Sequence, residues 1–170
     1  KLLQPLISPV MRPHFLVVSL SVAAFRLPAA ELHVGAGHSH ASPTSAIHAA
    51  APGDTIIVHG GRFAGGGIRV TKPLHLVGID APVLDGEFKS EILTIGAPDV
   101  TVRGFTIRNG GRTSTSDLAG IRVESAARVT LEGNDLRNCN FAIYLARTRD
   151  CTIRGNVIEG EPGREQSSGN

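Results

Sequence analysis

Three histidines fall within the ten residues ELHVGAGHSH, at His33, His38 and His40. Imidazoles this close together suit copper or zinc, the ions that neutral ring nitrogens bind best. The spacing is not that of a defined metal motif, and a flexible leader carrying incidental histidines is the competing reading. The single methionine, Met11, lies in an apolar N-terminal run. A thioether copper-trafficking site is therefore excluded from the stretch around the histidines. His48, His59 and His75 sit in the segments expected to form a cap and the first strands, and they are read as structural or merely exposed.

Other chemistry is harder to place. Polysaccharide-cleaving sites need clustered carboxylates, for acid–base work or for calcium. Here the acids fall singly, at turns or on outward strand positions. Asp80 and Asp85 flank APVL, and both are read as turn residues bonding their own backbone. No Ser-His-Asp or Cys-His set is legible, so no catalytic residue is assigned. A net charge of +2 gives no electrostatic case for nucleic acid or an anionic membrane surface. Outward Arg103, Arg122 and Arg154 with Glu132 predict stripes of alternating charge, which are usually a solvated face.

The elements that must position these residues announce themselves by repetition. VTVRGFTIRNG begins at Val100, VTLEGNDLRN at Val129 and CTIRGNVIEG at Cys151. Aligned on Gly104, Gly133 and Gly155, the phrases place Val102, Leu131 and Ile153 in one column and Ile107, Leu136 and Ile158 in another. Apolar residues at alternate positions predict strands, and the glycine between two such strands predicts a corner. A second set, GIRV (67–70), ILTI (92–95), GIRV (120–123) and AIYL (142–145), supplies another strand per repeat. Glycines 104 and 133 are 29 residues apart, and 133 and 155 are 22 apart. The extra seven residues all fall in the corner RNGGRTSTSDLAG, 108–120, because every other interval is kept. A period in the low twenties with one variable corner is a solenoid signature. The expected fold is all-β, a right-handed parallel β-helix with aliphatic ladders inside. Asn134 and Asn156 point inward beside the corner and are expected to bond one another between coils. Cys151 occupies a ladder column and Cys139 a strand end on a different side, which argues against a disulfide.

The ends complete the plan. Residues 1–30 read as upstream sequence plus a secretory signal: Met11 as the natural start, Arg12, an apolar run from Phe15 to Phe25, then small residues. That run is too short to span a bilayer. Residues 31–43 are expected to be a flexible leader and 44–170 the β-helix. A short capping helix is predicted over Ala46–Ala50, capped by Thr44 or Ser45 and stopped by Pro52 and Gly53. No matching cap is visible at the other end, so further coils are expected to follow. The 108–120 and 159–170 loops would project from one corner and offer a docking surface.

Several phrases together resemble the NosD family: AAAPGDTIIVHGGRF, RVTKPLHLVGID, PVLDG, APDVTVRGFTIRNGGRTSTSDLAGIRVE and FAIYLARTRDCTIRGNVIEG. The more specific part is the loop from Arg108 to Arg112, Asp117 shortly before AGI, and FAIYL one coil later. The resemblance implies a periplasmic β-helical accessory protein rather than an enzyme. It implies action with an ABC transporter in assembling the copper site of nitrous oxide reductase, with those two as partners and copper as the associated metal. It carries over no ligand residues; His33, His38 and His40 come from the residues alone. Two other classes stay open: a carbohydrate-binding or carbohydrate-active β-helix, and a surface solenoid without chemistry.

Overall fold

The computed structural model describes residues 28–113 and 116–160. The expected signal segment through residue 27 and the loop 161–170 lie outside the described residues.

The chain winds as a parallel β-helix of three-stranded coils. It opens with β1 (Glu31–Val34) and helix α1 (Pro43–Ala49). The first coil is β2 (Thr55–Val58), β3 (Arg62–Ala64) and β4 (Ile68–Val70). The second is β5 (His75–Gly78), β6 (Val83–Asp85) and β7 (Leu93–Ile95). The third is β8 (Thr101–Arg103), β9 (Thr106–Arg108) and β10 (Ala119–Glu124). The fourth is β11 (Thr130–Glu132), β12 (Asp135–Arg137) and β13 (Phe141–Ala146), followed by β14 (Thr152–Arg154) and β15 (Val157–Glu159). Corresponding strands stack into three parallel sheets, β1-β2-β5-β8-β11-β14, β3-β6-β9-β12-β15 and β4-β7-β10-β13.

Strands of three to six residues bury too little to stand alone, so the fold depends on like residues lying over like residues. In the first sheet Leu32, Ile56, Leu76, Val102, Leu131 and Ile153 form one column. In the second, Phe63, Leu84, Ile107, Leu136 and Ile158 form another. Ile68, Leu93, Ile121 and Ile143 line the third. Ile56, Val102, Ile107, Ile121 and Leu136 are fully buried. The expected register is in place, including Ile121 opposite Ile143, so the long corner absorbs the whole length difference between the third and fourth coils. The last described rung is open on one side, leaving Ile153, Val157 and Ile158 exposed.

Left-handed backbone recurs at equivalent corners. Gly104, Gly133 and Gly155 have φ of 78°, 60° and 62°. At Gly104 a side chain is also barred by space, because a Cβ there would lie 2.6 Å from the Gly78 carbonyl oxygen. Beside this corner Asn134 is buried and replaces the aromatic of Phe105. Its carbonyl accepts from the Phe105 amide at 3.2 Å and its amide nitrogen donates to the Val102 carbonyl at 3.0 Å. Asn156 repeats the pattern one coil on, accepting from the Asn134 backbone and side chain and donating to Leu131. The ladder therefore bonds backbone as well as side chains. Both cysteines are free thiols packed against the core, and burial pushes the Cys139 thiol up.

Two expectations need correction. The helix is capped by Ser42, whose hydroxyl accepts from the Ser45 amide at 3.2 Å, not by Thr44 or Ser45. Pro43 then takes the first helical turn, where its missing N–H costs nothing. Residues 31–34, expected in a flexible leader, form a strand paired in register with β2. Leu32 and Val34 face the core while Glu31 and His33 face outward, so β1 adds one more rung. Buried Asp54 ties this end together, accepting from the amides of Ala30 and Ala51 at 2.9 and 2.7 Å.

Asp85, read as a turn residue bonding its own backbone, does accept from the Glu87 amide two residues on, but it also ends β6, is 2% exposed and is held by neighbouring coils. Arg62 and Arg108 of the coils on either side donate to one oxygen at 3.0 Å. Asn109 and the Glu87 amide donate to the other, also at 3.0 Å. Burial alone would raise its pKa, but these four bonds outweigh it and hold the carboxyl down at about 2. Asp85 thus stabilises the fold fully above its unfolded value of 3.8, and that contribution is lost as pH falls through about 2. The shift corresponds to about 2 kcal/mol. In urea melts the wild type should lose this increment over that acid range, and Asp85→Asn should be weaker at neutral pH but should lack the acid-dependent step. Asn134→Ala should cost about 1–3 kcal/mol by orphaning the Phe105 amide and Val102 carbonyl. Asn156→Ala, at the open rung, should cost less in the same urea melts.

Candidate metal centre

The parallel pairing of β1 with β2 brings distant histidines together. His33 lies opposite Ile57, and the His59 amide donates to the Val34 carbonyl at 2.9 Å. His33 on β1 and His59, one residue past β2, thus occupy adjacent outward positions. Between β1 and α1 the chain makes a tight loop. The Gly35 amide donates to the His40 carbonyl at 2.9 Å, the His38 amide to Gly35 at 3.1 Å and the His40 amide to His33 at 3.2 Å. This loop folds His38 back over the strands. Gly35, with φ of 137°, is the floor of the cluster: a Cβ there would lie 3.4 Å from the His59 Cβ and 3.5 Å from the His38 ring.

One ring nitrogen from each of His33, His38 and His59 lies within 4.8 Å of the others. His33 Nδ1 and His59 Nε2 are 2.9 Å apart, so one ring donates to the other. His38 and His59 stack with centroids 3.9 Å apart and planes 8° off parallel. His33 stacks more loosely on both, at 5.7 and 5.3 Å. On the other edge of His33, Glu31 Oε2 lies 4.0 Å from Nε2. Lost solvent against the stacked rings, then the charge that His59 and His33 would carry, keeps the His38 imidazole below its usual pKa. A neutral ring is the form that binds metal.

Of the three histidines picked from the sequence, His33 and His38 are brought together and His40 is not. His40 makes a single bridge to Val34 at the loop's end, and its place is taken by His59. The sequence reads His59 as structural or merely exposed, because it lies 26 residues from His33. Aligning LHV (32–34) on IIV (56–58) as successive rungs was the available signal.

Among the described residues, several carboxylates are engaged by arginines. Asp85 and Glu87 are held by Arg62, Asp99 by Arg128 at 2.6 and 2.7 Å, and Glu91 by Arg122 at 2.5 Å. Arg122 also lies 4.4 Å over the Tyr144 ring and donates to the Asp117 carbonyl. Arg154 pairs with Glu132 at 3.0 Å across the outward stripe. These contacts tie one coil to the next.

Comparison with known proteins adds a lineage. No protein-family profile matches the chain, and no solved structure matches it. Among curated proteins, the "Probable ABC transporter binding protein NosD" of Pseudomonas aeruginosa is 35% identical over 142 residues, 82% of this chain and 33% of that protein. The protein of the same name from Stutzerimonas stutzeri is 32% identical over 107 residues, 62% of this chain and 24% of that protein. The chain therefore spans about a third or less of the curated relatives it matches. With the β-solenoid fold expected from the resemblance and seen in the structure, these matches show that the chain belongs to the NosD family.

Proposed function

We propose that this chain is part of a periplasmic accessory protein that docks on an ABC transporter and takes part in assembling the copper site of nitrous oxide reductase, without catalysing a reaction itself. The observation that carries the reading is the 35% identity, over 82% of the chain, to a protein named as an ABC transporter binding protein. The fold supports it. A stack of parallel coils is a rigid rod whose outward faces keep a fixed spacing, which suits a docking scaffold. Among the described residues no helix is long and apolar enough to cross a membrane. Contact with a transporter would then be made by surfaces of the solenoid.

The 108–120 corner is the place on this chain for such a contact. It is seven residues longer than the corresponding corner of the next coil. Its base is anchored: the Gly111 amide donates to the Ser90 carbonyl at 2.7 Å, and the Arg112 guanidinium lies 5.1 Å over the Phe88 ring. Phe88 itself is 48% exposed, an apolar surface beside the loop. Aromatic and arginine side chains together are the composition typical of interface hot spots.

The test is capture of a detergent-solubilised ABC transporter from a denitrifying bacterium by the full, exported chain. Capture is expected, and it should fall at least about tenfold when the corner is shortened by seven residues, the loss expected from removing a single hot spot. Retention or cleavage of an acidic polysaccharide, with no transporter recovered, would contradict the reading in favour of a carbohydrate-active solenoid.

A further inference from the structure

We propose that His33, His38 and His59 form a three-imidazole site for one borderline transition-metal ion, copper or zinc, with a fourth coordination position left open on the solvent side. The site is built by the first rungs of the solenoid and not by the local sequence. His33 comes from β1, His38 from the loop that follows it, and His59 from the end of β2 one coil on.

The donor set selects the ion. Three imidazole nitrogens without thiolate or thioether are borderline ligands, suited to zinc, copper and nickel and poor for calcium or magnesium. Within the divalent series copper binds such a set most tightly. His33 turns Nδ1 toward His59 Nε2, 2.9 Å away, and Glu31 Oε2 lies 4.0 Å from its Nε2.

The geometry also says what must move. Nitrogens bound tetrahedrally at 2.0–2.1 Å from one ion lie roughly 3.3 Å apart. The His33–His59 pair, at 2.9 Å, has only to open slightly. His38 has to leave its stack on His59, because two nearly parallel rings 3.9 Å apart cannot aim their lone pairs at one point. It is exposed and follows two glycines, at 35 and 37, so a swing of its ring meets no packed core. An ion so held is exchangeable, with one mobile ligand and one open position. It also joins β1 to β2 and so clamps the top of the solenoid. The binding site itself rests on this geometry; its use to carry copper as cargo rests on the function proposed above.

The experiment is titration of the purified full chain, without transporter, by copper(II) and separately by zinc(II) against a chromophoric chelator, with electron paramagnetic resonance of the copper form. The expected result is one equivalent bound, with hyperfine structure from three nitrogens. His59→Ala should weaken binding by more than about 100-fold, beyond the ~10–100-fold typical of outer-shell groups, while His40→Ala leaves it unchanged. Hydrogen exchange of the 31–40 amides should slow on metal addition in the wild type and not in His59→Ala. Metal-free thermal melts of the two variants show whether each keeps the fold. Equal affinity in a folded His59→Ala, an equal loss in His40→Ala, or no stoichiometric binding would each overturn the site. Because no transporter is present, that failure leaves the docking function standing, and failed transporter capture leaves the metal site standing.

Discussion

Every feature of this protein depends on parallel strands keeping register from coil to coil. A strand of three residues gains little by itself; it is held by two neighbours whose inward side chains occupy the same column. That constraint explains why the phrase VTVRGFTIRNG returns twice in altered form. It explains why a seven-residue length difference is confined to one corner, and why the polar residues inside are those that can bond from one coil to the next. Asn134 and Asn156 satisfy the backbone at a tight corner, and Asp85 is clamped by arginines from the coils before and after it.

The same register creates the site. A parallel rung places outward residues of neighbouring strands side by side, so two histidines far apart in sequence become adjacent once β1 pairs with β2. The tight loop after β1 then lays a third ring on top. Core and surface are one construction here. The inward half of β1, Leu32 and Val34, completes the hydrophobic ladder, while the outward half, Glu31 and His33, carries one ring of the histidine cluster. The capping segment of this solenoid thereby carries both an edge-covering role and the cluster of ring nitrogens.

What was legible in the sequence follows from this physics. The ladder columns were visible because strict alternation and a fixed glycine leave little freedom in alignment; Val102, Leu131 and Ile153 do form one column, as do Ile107, Leu136 and Ile158. β1 was not visible, because ELHV is followed at once by Gly-Ala-Gly and lacks the corner phrase of the later coils. Its strand character comes from pairing with β2, not from local propensity. His59 reads as structural for the same reason, and His40 enters the expected set because nearness in sequence stands in for nearness in space. The bond from Asp85 to the Glu87 amide is the turn role legible in the sequence, whereas its clamp between coils is signalled only by Arg108, the opposite charge that faces it one coil on.

The central claim is that the β1–β2 register assembles His33, His38 and His59 before any metal arrives. Its most direct test is a nuclear Overhauser spectrum of the metal-free protein with labelled histidines. Rings stacked at 3.9 Å should give strong cross-peaks between His38 and His59, and His33 should correlate with His59. His38 contacts confined to its neighbours in the chain, with none to His59, would contradict the account.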